Sequence, residues 1–411
     1  MKKIYQKVLG WMAKRVLNKY QPKVIAITGS VGKTTTKEAV SHLLKDFFSI
    51  RKTEKNLNTE IGLPMTILGV KNYQFKLLGA VESLFNFLSL IFFKKKYPEI
   101  LILEMGADKK GDIKYLCNLA NPLVGILTEI GLSHLAKFKS VEVLAREKEY
   151  LIKNLPSAGL AVVNFDNERC RLAAEKISAN ICGYGFDLTA TMRASDLIFD
   201  FERDNFNQEI LDSGASFKVN YEGKIVPVRI DQTISKGSVY ACLAAFSVGS
   251  YFGLNLVQMA EKMRSFKSLS NRMGLIEGIK KTIIINDTYN SAPSSLSLAL
   301  ESFSKMKAKR KIVVLGDMLE LGEEEKEFHR DIGRQVVTAG ADFFVAVGEN
   351  MGLAMSQFNV ITRTKEKSAH FDNSVEAGRF LQSLMKPGDL VLIKGSRGMK
   401  MEKVVEEVKM R

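Results

Sequence analysis

The chain has 411 residues, 46% hydrophobic and 26% charged, with 30 Gly and 8 Pro. That length holds two or three domains with sizeable cores; the apolar fraction excludes a mainly disordered chain and the few prolines a collagen-like or linker-rich one. Sixty Lys and Arg against 45 Asp and Glu give a net charge of +15, which favours an anionic partner (nucleotide, nucleic acid, phosphorylated substrate or membrane surface) without choosing among them.

Residues 1–24 carry seven Lys or Arg and no acid. They lack the uninterrupted apolar core and small-residue cleavage site of a secretory signal, so a cytoplasmic protein is expected. On a helix, Tyr5, Val8, Leu9, Met12 and Val16 share one stripe, with Lys3, Lys7 and Lys14 opposite. Apolar, β-rich runs then predict strands at Val24–Thr28, Ile100–Leu103, Val124–Thr128 and Ala161–Asn164. Between the first two lies Leu77–Phe93, 17 residues with Glu82 as its one charge and Lys94–Lys96 directly after. It stands at the short end of a membrane span, typically about 20 residues. Two readings of it and of the N-terminus are open. One is a buried helix or hairpin plus a basic surface helix. The other is a membrane-surface patch, peripheral at the inner face, with apolar side chains in the interface and lysines on anionic headgroups.

Residues 185–230 alternate polar and apolar, predicting a small antiparallel excursion, and a helical stretch follows over Tyr240–Phe252. The run Phe266–Gly274 precedes a fresh strand, which places a domain boundary near Arg272. Further strands are expected at Ile283–Asn286, Ile312–Leu315, Phe344–Val347 and Leu390–Ile393. Most strands lead through Gly or Asp into a helical stretch. This is the α/β pattern of mostly parallel sheets covered by helices. Four scattered cysteines (Cys117, Cys170, Cys182, Cys242) form no CxxC pair, which speaks for free buried thiols and against a disulfide framework or structural zinc.

The chemistry begins at Val24–Thr36, where a buried strand passes through Gly29, Ser30, Val31 and Gly32 into a helix expected from about Thr35. Backbone N–H groups of such a loop can surround phosphate oxygens, and the glycines allow close approach. Lys33 would reach the β- and γ-phosphates and the Thr34 hydroxyl would bind Mg²⁺. The spacing is the shorter GxxGKT form, because the earlier glycine of GxxxxGK would fall at Ile27. The strand ending at Glu104 puts a carboxylate where a nucleotide enzyme holds Mg²⁺, or else where a turn is capped. His134, after another strand end, and Lys148 carry no function by spacing alone. Three further polar loops follow strands: one with Asp287, Tyr289 and Asn290, one over Val314–Gly322 with His329 behind it, and one with Lys394, Ser396 and Arg397. Such loops bind ligands in open α/β sheets, or are turn chemistry alone.

Together these motifs resemble the Mur ligase family from about Val24 to the C-terminus. NLNTEIGLP over Asn56–Pro64, EMGADKKGDI, VLGDMLELGEEEKEFH and KGSRGMKME are similar to loops of the branch that adds D-alanyl-D-alanine in peptidoglycan synthesis. The resemblance implies an ATP-dependent amide ligase. It joins a muramyl peptide or analogue, activated as acyl-phosphate, to D-Ala-D-Ala or a similar amine. The expected architecture is a basic amphipathic helix over 1–21 and a central P-loop ATPase domain over 22–271 with an apolar insertion at about 71–97. A Rossmann-like C-terminal domain over 272–411 would close over ATP.

By the same resemblance, Gly29, Ser30, Val31, Gly32, Lys33, Thr34 and Thr35, with Arg272, Asp287, Tyr289 and Asn290, hold ATP. Thr34 and Glu104 hold a first Mg²⁺, and His134 and Lys148, as a carbamylated lysine, a second. Lys33, His134 and Lys148 are the implied catalytic residues. Carbamylation needs a neutral amine, so the site must depress a pKa normally near about 10.4. Asn56, Asn58 and Thr59 would face the carboxylate substrate, and Lys394, Ser396 and Arg397 the incoming amine. A monomer is expected. No nucleic-acid partner is expected, because no helix-turn-helix, zinc or aromatic-platform signature stands in the sequence.

Three features depart from the family pattern. Only 23 residues precede the first strand, where the family carries a domain that grips the UDP-sugar. The carboxylate substrate is therefore open: UDP-linked, lipid-linked and met at the membrane by residues 1–20 and 77–93, or held by another protein. The family's His-Asn-x-x-Asn near adenine reads Gly237, Ser238 and Ala241 here. The apolar run 77–93 replaces a short connection. Two rival readings stand. One is another amide former, such as a folylpolyglutamate synthetase, which lacks the NLNTEIGLP and LGDMLELG strings. The other is a P-loop regulatory NTPase that hydrolyses ATP without ligation and has no use for Lys148.

Overall fold

A strand that is apolar on both faces must be covered on both, and the buried runs satisfy this by pairing in two helix-covered sheets. The computed structural model describes all residues except 1, 73, 75, 132–137, 139, 176, 201–212 and 411. The first part of the chain runs α1 (Lys2–Tyr20), β1 (Lys23–Thr28), α2 (Lys33–Leu44), β2 (Ile50–Lys52), α3 (Gly62–Leu68), α4 (Lys76–Phe92), β3 (Ile100–Glu104), α5 (Asp112–Ala120), β4 (Val124–Leu127), α6 (Val141–Lys153), β5 (Leu160–Asn164), α7 (Glu168–Ala174) and β6 (Asn180–Gly185). It continues through β7 (Met192–Asp200), β8 (Gly214–Tyr221), β9 (Lys224–Asp231), α8 (Lys236–Tyr251) and α9 (Leu256–Arg264). The strands form one sheet in the order β2-β3-β1-β4-β5-β6-β7-β8-β9, parallel up to β7 and antiparallel from β7 to β9.

After residue 273 a second sheet begins: β10 (Gly274–Gly278), β11 (Thr282–Asp287), α10 (Pro293–Ser304), β12 (Arg310–Gly316), α11 (Glu325–Thr338), β13 (Phe343–Val347), α12 (Met351–Thr362), β14 (Ser368–Phe371), α13 (Ser374–Leu384), β15 (Asp389–Lys394) and α14 (Glu402–Val408). Its order is β10-β11-β15-β12-β13-β14, parallel except for β10. Every strand read from the sequence is present, within two residues at each end. Three short or partly exposed strands, β2, β6 and β14, had no apolar run to announce them. The antiparallel excursion is β7–β9.

Alternation of side chains along β1 divides the first core. Ile25 and Ile27 pack with Val40 and Leu43 of α2 and with α8. Val24 and Ala26 face the other way, toward Leu9, Met12 and Val16 of α1, Leu63 of α3 and Ile113 of α5. The N-terminal helix is thus a core element, with one correction to its stripe: Leu9, Met12, Ala13, Val16 and Leu17 are buried, whereas Val8 is exposed. The segment 77–93 is a helix, α4, that tucks Phe87 and Leu90 into the same core. Among the described residues, no helix is long and apolar enough to cross a membrane.

Candidate active site

The C-terminal ends of both sheets open on one cleft, the place where open parallel sheets offer loops and helix starts to ligands. The cleft is a cavity of about 430 Å³, and Ser30–Thr35, Asn58, Thr59, Glu104, Lys148, Arg272, Asp287, Tyr289 and Asn290 line it. Gly29 adopts φ 151° and Gly32 φ 87°. A Cβ on Gly29 would stand 2.0 Å from Thr128 Oγ1, so only glycine lets the loop lie this close to the strand end. The helix α2 starts at Lys33, two residues earlier than expected, and its free N–H groups face the loop.

Lys33 Nζ donates to Gly29 O at 2.6 Å and to Ser30 O at 3.2 Å. Lys148 Nζ donates to the same Gly29 carbonyl at 2.9 Å. Two lysine side chains, Lys148 buried and Lys33 half-buried, therefore share one acceptor. Burial first, then the Lys33 charge, pushes the Lys148 pKa well below its ordinary value, and the buried Glu129 works against them. Burial likewise lowers Lys33, with Glu104 opposing. Lys148 is aimed by its own helix. Ser140 caps α6 by accepting from Val143 N, and the adjacent Glu147 accepts from Gly111 N and Ile113 N, clamping α6 onto the start of α5.

Glu104 is 3% exposed. Its Oε1 accepts from Asn58 Nδ2 at 3.2 Å and from Thr34 Oγ1 at 3.4 Å. Its Oε2 has no hydrogen-bond partner and lies 3.6 Å from Lys37 Nζ. A buried carboxylate oxygen without a partner, beside a hydroxyl and a phosphate-type loop, suits a hard cation completed by phosphate and water oxygens. Glu129 Oε1 also lacks a hydrogen-bond partner, and burial raises the Glu129 pKa against a Ser294 hydrogen bond and the Lys33 and Lys148 charges. No motif argument singled out Glu129 or Lys37. The available signal was position: Glu129 follows a strand end directly, and Lys37 lies one turn beyond Lys33. His134 lies outside the described residues. Among the described residues, no group of three or more His, Cys, Asp and Glu stands ready for a metal.

The second sheet supplies the opposite wall. Arg272 Nη2 donates to Thr34 Oγ1 at 3.1 Å, and its guanidinium lies 4.1 Å from the Tyr289 ring centroid. Arg397 approaches the same ring at 5.4 Å. The Tyr289 hydroxyl donates to Asn56 Oδ1 at 3.0 Å, so Asn56 reaches across to the second sheet, while Asn58 turns inward to Glu104. Lys394 and Ser396 line the cleft with Arg397, and both are also bonded into the neighbouring loop. Lys394 is 2% exposed, donating to Asp287 Oδ2 at 2.6 Å and to Asn290 O at 2.8 Å. Ser396 is buried between Ser291 O and Leu319 N. Both act on the shape of the 287–291 loop, and Arg397 is the exposed member of the three. At the other end of the cleft, Gly237 and Ser238 line the cavity and Ala241 is buried. The wall there is made of small side chains.

A parallel-sheet phosphate loop facing a second α/β domain, with lysines and a carboxylate converging between them, is the arrangement of an ATP-dependent enzyme. The Mur ligase middle domain matches residues 27–248, and the glutamate ligase domain of Mur ligases matches residues 271–397. The chain belongs to the Mur ligase family. It is 29% identical over 398 residues to the UDP-N-acetylmuramoyl-tripeptide–D-alanyl-D-alanine ligase of Bacillus subtilis, covering 97% of this chain and 78% of that one. The MurF ligase of Thermotoga maritima in complex with ADP superimposes with a TM-score of 0.79 at 26% identity, covering 98% of this chain and 83% of the other. MurF of Acinetobacter baumannii shares the fold, with a TM-score of 0.80 at 24% identity over 98% and 80% of the two chains.

Proposed function

We propose that the chain is an ATP-dependent acid–amine ligase of peptidoglycan precursor synthesis, joining the carboxylate of a muramyl peptide to D-alanyl-D-alanine. The observation that carries this reading is the convergence of Lys33, Lys148 and Glu104 on one loop, facing Arg272 and Tyr289 of the second domain. The similarity to D-alanyl-D-alanine ligases over 97% of the chain supports the substrate pair.

In the reaction, a carboxylate oxygen of the peptide attacks the γ-phosphorus, the bond to the β-phosphate oxygen breaks, and ADP leaves. The amine nitrogen then attacks the acyl carbon, loses a proton, and the carbon–oxygen bond to phosphate breaks. Lys33 offsets charge building on the transferred phosphoryl group, and the N–H groups from Gly29 to Thr35 hold its oxygens. Arg272 and Tyr289 bring the second domain onto the nucleotide, with Asp287 and Asn290 held in place by Lys394. Asn56, Asn58 and Thr59 position the peptide carboxylate at the mouth. Thr34 and Glu104 would hold one Mg²⁺, which supplies neutralisation of phosphate charge.

The depressed Lys148 pKa supports carbamylation. A neutral amine adds to CO₂, the N–C bond forms, one proton leaves, and the side chain becomes an anion that can serve a second ion with His134. The buried setting favours the neutral amine that the addition needs, and the released proton passes to water. ATP and Mg²⁺ place the reaction on the cytoplasmic side. A lipid-linked carboxylate is a second reading, favoured by the apolar helix α4 that enters directly after the substrate loop and α3.

The test is phosphate release from ATP with UDP-MurNAc-tripeptide, with and without D-Ala-D-Ala. Release that requires both, with an amide product by mass spectrometry, is expected. Release with ATP alone, no product and undiminished turnover in Lys148→Ala would replace the ligase with a regulatory NTPase. Release only with a lipid-linked acid would keep the chemistry and change the substrate.

A further inference from the structure

The helices α1 and α4 each bury one face and leave another apolar face in solvent. Eleven of the 23 exposed large hydrophobic side chains among the described residues lie on these two helices or on the next residue, Phe93. On α4, Leu77, Val81, Leu84, Phe85 and Phe92 fall within one helical stripe, and the core contact of Phe87 lies on a different side. Phe85 is 68% and Leu77 79% exposed. A helix apolar on two faces is ordinarily buried on both. On α1, Trp11 is 53% exposed and meets Phe87 of α4 with ring centroids 5.3 Å apart, so the two helices pack side by side. Lys19 Nζ donates to the carbonyls of Leu90 and Ile91, and the Tyr20 hydroxyl also donates to Leu90, which locks the helices into one unit. Patches of this kind mark interaction surfaces.

The rim decides the partner. Lys3, Lys7, Lys14 and Arg15 of α1 and Lys94–Lys96 beyond α4 are exposed. There is no acid on α1, and the single acid of α4, Glu82, is engaged in accepting from Lys71 N and Asn72 N. A symmetric pairing of two copies through this face would set lysine against lysine. An anionic surface with an apolar interior meets both features at once.

We propose that α1 and α4 form a membrane-docking surface, inserting the Trp11–Phe85–Phe92 face into an anionic leaflet while the lysines contact lipid phosphates. The helices lie on the bilayer and do not span it. This inference stands on the two helices alone, so a negative substrate test of the ligase leaves it untouched.

Trp11 is the one tryptophan of the chain, and it reports docking directly. The full chain is mixed with vesicles of equal phosphatidylcholine and phosphatidylglycerol, and with vesicles of phosphatidylcholine alone. The expected result is co-sedimentation with the anionic vesicles, a blue shift of Trp11 emission, and quenching by lipids brominated in the acyl chain. Leu84→Ser/Phe85→Ser, at exposed positions that leave the core intact, weakens binding by about tenfold or more. Lys94→Glu/Lys95→Glu/Lys96→Glu weakens it on anionic vesicles by a similar factor, while phosphate release stays unchanged in both variants. Circular dichroism checks that each variant is folded. No co-sedimentation of the wild-type chain, or binding that folded variants retain in full, would overturn the proposal. So would a stable dimer without lipid that Leu84→Ser/Phe85→Ser dissolves.

Discussion

At the scale of single residues, the cleft is governed by charges that are poorly solvated. Lys33 and Lys148 share the Gly29 carbonyl, and each is useful because the loop leaves it little water. Replacing Lys33 with Ala is expected to lower kcat by roughly 10²–10³, the cost of removing one group aimed at developing phosphoryl charge. Lys148→Met keeps the stem and removes the amine. Its effect on stability has a definite sign. The Lys148 pKa is depressed in the folded chain, so between that lowered value and the ordinary one the unfolded chain binds more protons. Stability from this residue therefore rises with pH across that window and is lost as pH falls through the folded pKa. Lys148→Met should flatten that slope and raise stability at neutral pH while abolishing ligation, a trade seen where function strains a fold. Urea unfolding at several pH values checks it; an unchanged slope would contradict the assignment.

Lys394 lines the cleft and also pairs with the carboxylate of Asp287. KGSRG was legible as a loop at a strand end, but a sequence cannot show that its lysine turns inward to Asp287 and Asn290. Removing one partner of a buried ion pair is costly. Lys394→Met alone should destabilise by about 3–5 kcal/mol, and adding Asp287→Asn should recover much of it. Thermal unfolding of the single and double variants decides the matter. An unperturbed melting temperature in Lys394→Met, with lost affinity for the amine substrate, would return the lysine to a substrate contact.

Among elements, the buried parallel strands were legible because they are continuous apolar runs that end in Gly or an acid. β2, with three half-buried residues, and β14 offered no such run, because each is a short edge strand whose pairing supplies what its sequence does not. The loop between β1 and α2 was fully legible in its glycines. Gly29→Ala should disable nucleotide binding, since its Cβ would meet Thr128 Oγ1 at 2.0 Å, and the displaced loop would no longer present its N–H groups. Isothermal titration with ADP and Mg²⁺ is expected to show at least about a tenfold loss of affinity, whereas wild-type affinity would mean that the loop conformation is not the binding one. Glu129 escaped motif reading because one carboxylate after a strand is ordinary; only its enclosure with Lys33 and Lys148 gives it weight.

For the molecule as a whole, both sheets aim their C-terminal ends at one cavity, and Arg272–Thr34 and Tyr289–Asn56 tie the two sides. The alternation of strands and helices carried the two-sheet architecture, and four separated motifs carried the family. For α1 and α4 the sequence left a buried and a membrane-surface reading open, because amphipathic spacing does not tell which of two apolar stripes meets the core. The central claim is that ATP is spent on activating a carboxylate. It is tested most directly by labelling the acceptor carboxylate of UDP-MurNAc-tripeptide with ¹⁸O and turning over the wild-type chain with ATP, Mg²⁺ and D-Ala-D-Ala. Transfer of one labelled oxygen to inorganic phosphate, matched to amide product, is the predicted result. Phosphate that carries no label from the carboxylate would mean that water, not the carboxylate, attacks the γ-phosphate, and would contradict the account.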